Sequence, residues 1–199
     1  YKAFLDHNPG LLWSNFKTGE HGKWFAKSEK DMTAEEREEW KERARQAQEE
    51  QEEARREAAR KANWYMGFFP KAGADNGYLK RKGVLPFGEL RQMTKGQLVV
   101  PVYDASGKVV SVQRILPKKP EGKGKTDKFF LSDGYIKGGF FPISAHDGGT
   151  DGPLLIAEGY ATAASLRMAT GFEALFGKNI GKFCSFGIYT AVNFNFTIK

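Results

Sequence analysis

Apolar and polar residues form two strand-like patterns in the middle of the chain. In GQLVVPVYDASGKVVSVQRIL (residues 96–116), two apolar runs flank Asp104-Ala-Ser-Gly107, a sequence typical of a hairpin turn. In DKFFLSDGYIKGGFFPI (residues 127–143), apolar runs flank a glycine-containing segment in the same strand–turn–strand order. These patterns predict a β-rich subdomain within residues 64–150.

A different pattern follows, in which a short apolar run leads into a helix. The apolar run 154–157 ends at Glu158, and Gly-Tyr and an alanine-rich segment follow, up to the stop signal Thr170-Gly171. We expect a parallel strand, a turn and a helix, with Glu158 at the strand end where α/β sheets bind ligands. Glu158 could be a catalytic or metal-binding carboxylate, or it could only complement the helix dipole. A last alternating run, AVNFNFTI (residues 191–198), predicts one more half-buried strand.

Residues 33–63 have the pattern of a long charged helix. Thr33 and Glu36 form a capping-box sequence at its start, and acidic residues stand four positions before basic ones. Apart from alanines, its apolar residues are few, so we expect a solvated connector or arm that could dock at Trp40 and Trp64.

The first 32 residues contain an aromatic hairpin pattern. Four aromatic residues flank the turn signal KTGEHG: Trp13, Phe16, Trp24 and Phe25. Beside the neighbouring lysines, these rings could stack on bases. The alternative is that they pack a small core.

Charge and composition narrow the class of protein. The net charge is +7, and because residues 33–62 hold ten acidic and eight basic residues (−2), the remainder carries +9. A basic body fits a polyanion such as nucleic acid, although many basic domains bind none. No apolar run approaches the roughly 20 residues that span a bilayer, and nothing at the start resembles a signal peptide. We therefore expect a cytoplasmic protein with no membrane partner.

The spacing of residues argues against a zinc site and against a phosphate-binding P-loop. The single cysteine, Cys184, and the scattered His7, His21 and His146 have no metal-ligand spacing, so we expect no zinc. The segment GKGKT (residues 122–126) lacks the first glycine, the preceding strand and the following helix of a phosphate-binding P-loop. It is more typical of a basic hairpin loop.

Several segments of the sequence resemble one protein family. LLIAEGYATAASL (Leu154–Leu166) resembles the first motif of TOPRIM domains, the fold shared by bacterial-type primases and topoisomerases. LVVPVYDASGKVVSVQRIL resembles the primase pattern of an apolar-Pro-apolar strand, an Asp-containing turn and a strand that ends near a basic residue.

The order of the remaining segments extends the resemblance. DKFFLSDG and GGFFPI resemble the primase segments that come next, and GYLKRKGV resembles one that precedes this core in plasmid and phage primases. Together the segments run from Gly77 to Gly171, about half of the chain.

The resemblance implies roles for particular residues. Glu158 matches the TOPRIM glutamate, a general acid/base in phosphoryl transfer, and Arg114 and Lys128 match basic residues that engage nucleotide phosphates or the template. Lys80, Arg81 and Lys82 would contact the nucleic-acid backbone. For all five basic residues, the alternative is an ordinary solvated surface.

The chain also departs from the family pattern. TOPRIM domains continue with further carboxylates, including an Asp-x-Asp strand, that hold Mg²⁺; from Gly152 to Lys199 only Glu158 and Glu173 are acidic. Magnesium needs oxygen ligands, and one glutamate cannot build a two-metal site. We therefore expect Mg²⁺ by family resemblance only, not stably bound, and impaired catalysis. A truncated, divergent or frameshifted relative would explain the departure.

These observations combine into one prediction. The fold class is α+β, with an aromatic hairpin region (1–32), a charged helix (33–63), a primase-like subdomain (64–150) and an incomplete TOPRIM-like α/β unit (151–199). The leading hypothesis is a phage or mobile-element primase-related protein that binds single-stranded DNA or RNA. The alternatives are a non-enzymatic decoy or inhibitor that binds a replication protein partner, and a remnant with no activity.

Overall fold

The computed structural model describes residues 1–5, 8–15, 18–28, 30–122, 124–136, 138–143 and 153–177. The chain divides into two compact units, Tyr1–Glu50 and Gln51–Lys199. The predicted strand at 191–198, together with Cys184, His7 and His146, lies outside the described residues. Among the described residues, no helix combines the length and apolarity needed to cross a membrane.

The first unit contains a three-stranded antiparallel sheet. Its strands are β1 (Lys2–Phe4), β2 (Gly10–Ser14) and β3 (His21–Phe25), in the order β1-β2-β3. The predicted hairpin is thus confirmed as β2 and β3. Its turn is closed by a 2.7 Å hydrogen bond from the Asn15 N–H to the Glu20 carbonyl oxygen.

The long helix α1 (Ala34–Phe68) begins in the first unit and continues into the second. The capping box is confirmed, because the Thr33 N–H donates to the Glu36 carboxylate at 3.0 Å and the Glu36 N–H donates to Thr33 Oγ1 at 3.2 Å. The helix extends beyond residue 63, the predicted end, because its last turns pack against the sheet of the second unit.

After α1, the described residues of the second unit form two short helices and a seven-stranded sheet. Its elements are α2 (Gly77–Lys82), β4 (Arg91–Gln92), β5 (Leu98–Tyr103), β6 (Val109–Ile115), β7 (Lys128–Phe130), β8 (Phe140–Ile143), β9 (Leu155–Ala157), α3 (Tyr160–Thr170) and β10 (Ala174–Gly177). The strand order is β7-β6-β5-β8-β10-β9, with β4 beside β5. Strands β9 and β10 are parallel, and the other pairs are antiparallel.

Most local predictions for this unit are confirmed. The β5–β6 hairpin turns at Asp104, whose Oδ1 accepts the backbone N–H groups of Ser106 (2.8 Å) and Lys108 (3.0 Å). The strand, turn and helix predicted after residue 153 are β9 and α3, and Gly171 ends α3 with φ 72°. Residues 127–143 do contain two strands, but β7 pairs with β6 whereas β8 lies between β5 and β10. They are therefore not neighbours, and β8 pairs at four positions with β10 and at one position with β5.

Each face of the seven-stranded sheet carries a buried cluster. On one face, Val99, Val112 and Leu131 pack against Ala62 and Tyr65 of α1. On the other face, α2 and α3 cover a larger cluster that includes Ile115, Phe141 and Phe176. Trp64, one of the two tryptophans at which the helix could dock, is 52% exposed. The mixed α+β class with a long helix is thus confirmed.

Candidate functional site

The turn between β9 and α3 places Glu158 at the edge of the sheet. Glu158 directly follows β9, and its side chain is exposed. Gly159 is the N-cap residue of α3, in an extended conformation (φ −145°, ψ 145°), and no side chain caps the helix start. The start of this 11-residue helix therefore has no side-chain cap and presents a partial positive charge to the turn, although the Ala161 N–H among its first N–H groups faces the Tyr78 hydroxyl.

Lys128 brings a full positive charge to the same turn. It is the first residue of β7, and a Cβ atom built on Gly159 would lie 3.5 Å from its Nζ atom. Two of the sequence-predicted residues, Glu158 and Lys128, are thus close in space although they are distant in the chain. No ion pair joins them within the part of the chain that the structure describes.

Arg81 is held by an acidic residue next to Lys128. Its guanidinium donates a short hydrogen bond to the carboxylate of Asp127, and its charged group lies 5.3 Å from the ring centroid of Tyr78. Burial raises the pKa of Asp127, but the hydrogen bond and positive charge of Arg81 outweigh it, so this pKa lies below its ordinary value. Much of the Arg81 charge is therefore compensated, whereas Lys80 and Lys82 are exposed.

Tyr78 is a residue at this site that sequence reasoning missed. Its side chain is fully buried, and its hydroxyl has no hydrogen-bond partner among the described residues. The hydroxyl lies beside the backbone N–H of Ala161, in the first turn of α3. Burial, helped by the charge of Asp127, raises the pKa of Tyr78, so the group stays a neutral donor. The available signal was its position inside GYLKRKGV, next to the basic residues.

Tyr160 fixes the start of α3 against the loop after α2. Its buried hydroxyl accepts the Phe87 N–H at 2.8 Å and donates to the Leu85 carbonyl oxygen at 3.0 Å. Burial raises the pKa of this phenol well above its ordinary range. The first turn of α3, and with it Gly159, is therefore rigidly positioned.

Arg114 is not brought to this site. In the β6–β7 ladder Arg114 lies opposite Phe129 and Ile115 lies opposite Lys128. Because neighbouring residues of a strand point to opposite faces, Arg114 lies on the α1 face and Lys128 on the α3 face. The Nε atom of Arg114 is buried with no hydrogen-bond partner among the described residues. A contact of Arg114 with nucleic acid stays a prediction.

The described residues around Glu158 do not fit a magnesium site. Magnesium is held by oxygen ligands, usually carboxylates together with substrate phosphates. In the described ranges, no three His, Cys, Asp or Glu side chains are grouped so that they could hold a metal ion. Asp127 is engaged by Arg81, and the group beside Gly159 is the ammonium of Lys128.

The sequence of the chain is similar to that of a known primase. Over 177 residues, 86% of its length, it is 30% identical to a protein described as DNA primase TraC of Escherichia coli. The chain spans 12% of the length of that relative. No family model matches the chain, and no solved structure matches it. The comparison supports a primase-like relationship, in agreement with the resemblance seen in the sequence.

Proposed function

We propose that this chain is a nucleic-acid-binding part of a primase-related replication protein, and that the β9–α3 turn binds a phosphate group of the strand or of a nucleotide. One observation carries the proposal: the Lys128 ammonium lies beside Gly159 at the uncapped start of α3. The similarity to a DNA primase over most of the chain supports the class.

The electrostatics of the turn favour an anion. An uncapped helix start offers free N–H groups and a partial positive charge, and this arrangement commonly binds phosphate. Lys128 adds a full charge, and the exposed Lys80 and Lys82 at the end of α2 extend the basic surface of the same unit. The proposed role of these lysines is therefore contact with the backbone, which sets affinity and not sequence preference.

Glu158 has a narrower role in this proposal. Its carboxylate is exposed at the turn, and like charge would oppose a phosphate that comes close. A single glutamate beside a lysine can exchange a proton with a bound group, but it does not supply the metal ligands of phosphoryl transfer. We therefore propose binding, and not primer synthesis, as the activity of the described residues.

The test is a salt-dependent titration of a fluorescently labelled single-stranded oligonucleotide. We expect wild-type binding to weaken steeply between about 50 and 200 mM salt, because counterions are released from the strand. Lys128→Gln should weaken binding severalfold at low salt and reduce the slope by about 0.7, the contribution of one phosphate contact on a single strand. Glu158→Gln should leave binding unchanged or strengthen it.

Lys108→Gln is the matched control, because Lys108 is an exposed lysine in the β5–β6 turn. It should change neither the affinity nor the slope appreciably. Equal effects of Lys128→Gln and Lys108→Gln would contradict the proposed site. No binding by the wild-type chain at low salt would contradict the proposed function and favour a decoy that binds a protein partner.

A further inference from the structure

Tyr78 carries a buried polar group that the proposed function does not use. Its side chain is fully buried in the cluster that α2 and α3 form on one face of the sheet, and its hydroxyl has no hydrogen-bond partner among the described residues. Most buried hydroxyls in native proteins are paired, because an unpaired one costs stability. Such a group calls for a physical explanation, and functional sites are where native proteins tolerate it.

Contacts with α3 place this hydroxyl at the proposed phosphate site. Its oxygen faces the backbone N–H of Ala161, in the first turn of α3. Two residues earlier stands the N-cap residue Gly159, and a Cβ atom built there would lie 3.5 Å from the Nζ atom of Lys128. The Tyr78 hydroxyl, the Lys128 ammonium and the start of α3 therefore meet at one turn.

The nearest acidic residue does not satisfy the hydroxyl. The charge of Asp127 is close enough to raise the pKa of Tyr78, but no hydrogen bond joins these two side chains. The Asp127 carboxylate accepts a hydrogen bond from the Arg81 guanidinium instead. The phenolic proton is thus left without an acceptor in the part of the chain that the structure describes.

Two neighbours make the hydroxyl a good donor. The guanidinium carbon of Arg81 lies 5.3 Å from the centroid of the Tyr78 ring, and the Ala161 N–H faces the phenolic oxygen. Both draw electron density from the phenol and so polarise its O–H bond. Burial nevertheless keeps the phenol protonated, because it disfavours the charged phenolate. A neutral, polarised donor suits an anionic oxygen, with which it forms a stronger bond than with a neutral one.

We infer that the Tyr78 hydroxyl donates a hydrogen bond to the phosphate group that binds at the β9–α3 turn. This inference rests on the proposed phosphate site, to which it adds a neutral donor beside the charged lysine. A phosphate has several oxygens, so one can meet Lys128 while another meets Tyr78. The hydroxyl is shielded from water in the ligand-free chain, but the flexible four-carbon stem of Lys128 lets its ammonium shift and admit a phosphate oxygen.

The test is a calorimetric titration of the full chain with inorganic tripolyphosphate, in the wild type and in Tyr78→Phe. This substitution keeps the ring and removes only the hydroxyl. We expect binding to weaken at least about tenfold, the size expected for one hydrogen bond to a charged acceptor. Affinities are compared well below the unfolding midpoint of both chains, so that a loss of affinity reports binding.

Thermal unfolding of the ligand-free chains supplies a second readout. The midpoint of Tyr78→Phe should stay unchanged or rise, because the substitution removes an unpaired polar group from the core. A hydroxyl with a purely structural role, for example one held by an ordered water, predicts the reverse. Wild-type affinity in Tyr78→Phe, with or without a lower midpoint, would overturn the inference.

Tyr65→Phe is the matched control, because Tyr65 is also a buried tyrosine of the second unit but packs on the α1 face of the sheet. It should leave the affinity for tripolyphosphate unchanged. Equal losses of affinity in Tyr78→Phe and Tyr65→Phe would overturn the assigned donor.

Lys128→Gln separates this inference from the proposed function. If Lys128→Gln weakens binding and Tyr78→Phe does not, the phosphate site stands and only the role of the hydroxyl is overturned. Salt separates the two contributions further, because the effect of Lys128→Gln should shrink as charges are screened, whereas the effect of the neutral Tyr78 donor should persist. No binding of tripolyphosphate by the wild-type chain at low salt would overturn both proposals.

Discussion

The two sheets that the structure describes differ in the exposure of their aromatic residues. In the seven-stranded sheet unit, Tyr78, Phe141 and Tyr160 are at most 1% exposed, because helices cover both faces. In the three-stranded sheet, the face of Trp13 and Trp24 stays exposed while Phe25 lines a groove with α1. An aromatic-rich segment can therefore build a core or a surface, depending on how many faces of its sheet are covered by other elements.

The largest expected effect is a loss of stability in the second unit. Phe141 is 1% exposed and lies between the rings of Tyr103 and Tyr160, with centroid distances of 6.3 and 5.8 Å. Phe141→Ala should lower the free energy of unfolding by about 3–5 kcal/mol, because it removes buried surface and leaves a cavity. Trp24→Ala should cost only about 0.5 kcal/mol, as for an exposed site. Urea unfolding measures both, and similar costs would break the comparison.

A smaller loss of stability is expected when only the Tyr160 hydroxyl is removed. Tyr160→Phe keeps the ring but leaves the Phe87 N–H and the Leu85 carbonyl oxygen without this partner. We expect the free energy of unfolding to fall by about 1–3 kcal/mol, the usual cost of an unsatisfied buried group. Hydrogen exchange at Phe87 should accelerate. An unchanged exchange rate would mean that the ring alone holds the loop.

The smallest effect concerns acid stability. The pKa of Asp127 is lowered in the folded state, so its contribution is fully present above the ordinary value of 3.8 and is lost as pH falls through the folded value. Asp127→Asn should therefore cost about 1 kcal/mol at neutral pH, a typical figure for a partly exposed ion pair, and this difference from wild type should shrink below about pH 4. A difference that does not depend on pH would mean that the Arg81 pair is not its source.

Local elements were predictable from the sequence, and the pairing of distant elements was not. The run into Glu158 and the stop at Gly171 predict β9 and α3, because strand and helix signals act within a few residues. The capping box at Thr33 is equally local. The separation of β7 from β8 was missed, because strand neighbours depend on the register of the whole sheet.

Sequence-based prediction has the same limit at the candidate site. Glu158 and Lys128 were identified from the sequence by resemblance, but their proximity needed the fold. Arg114 was grouped with Lys128, yet a one-residue difference in phase puts them on opposite faces of the sheet. The burial of Tyr78 also depends on the packing of α2 against α3, which no short motif encodes.

The most direct test of the phosphate site is a titration of the ¹⁵N-labelled chain with inorganic tripolyphosphate, followed by amide chemical shifts. The geometry predicts saturable shifts at Gly159, Tyr160 and Ala161 that are lost in Lys128→Gln and kept in Lys108→Gln. Shifts centred on Val99 and Phe129, the ladder neighbours of Arg114, would contradict the claim that the β9–α3 turn binds phosphate. Shifts that persist unchanged in Lys128→Gln would contradict it as well.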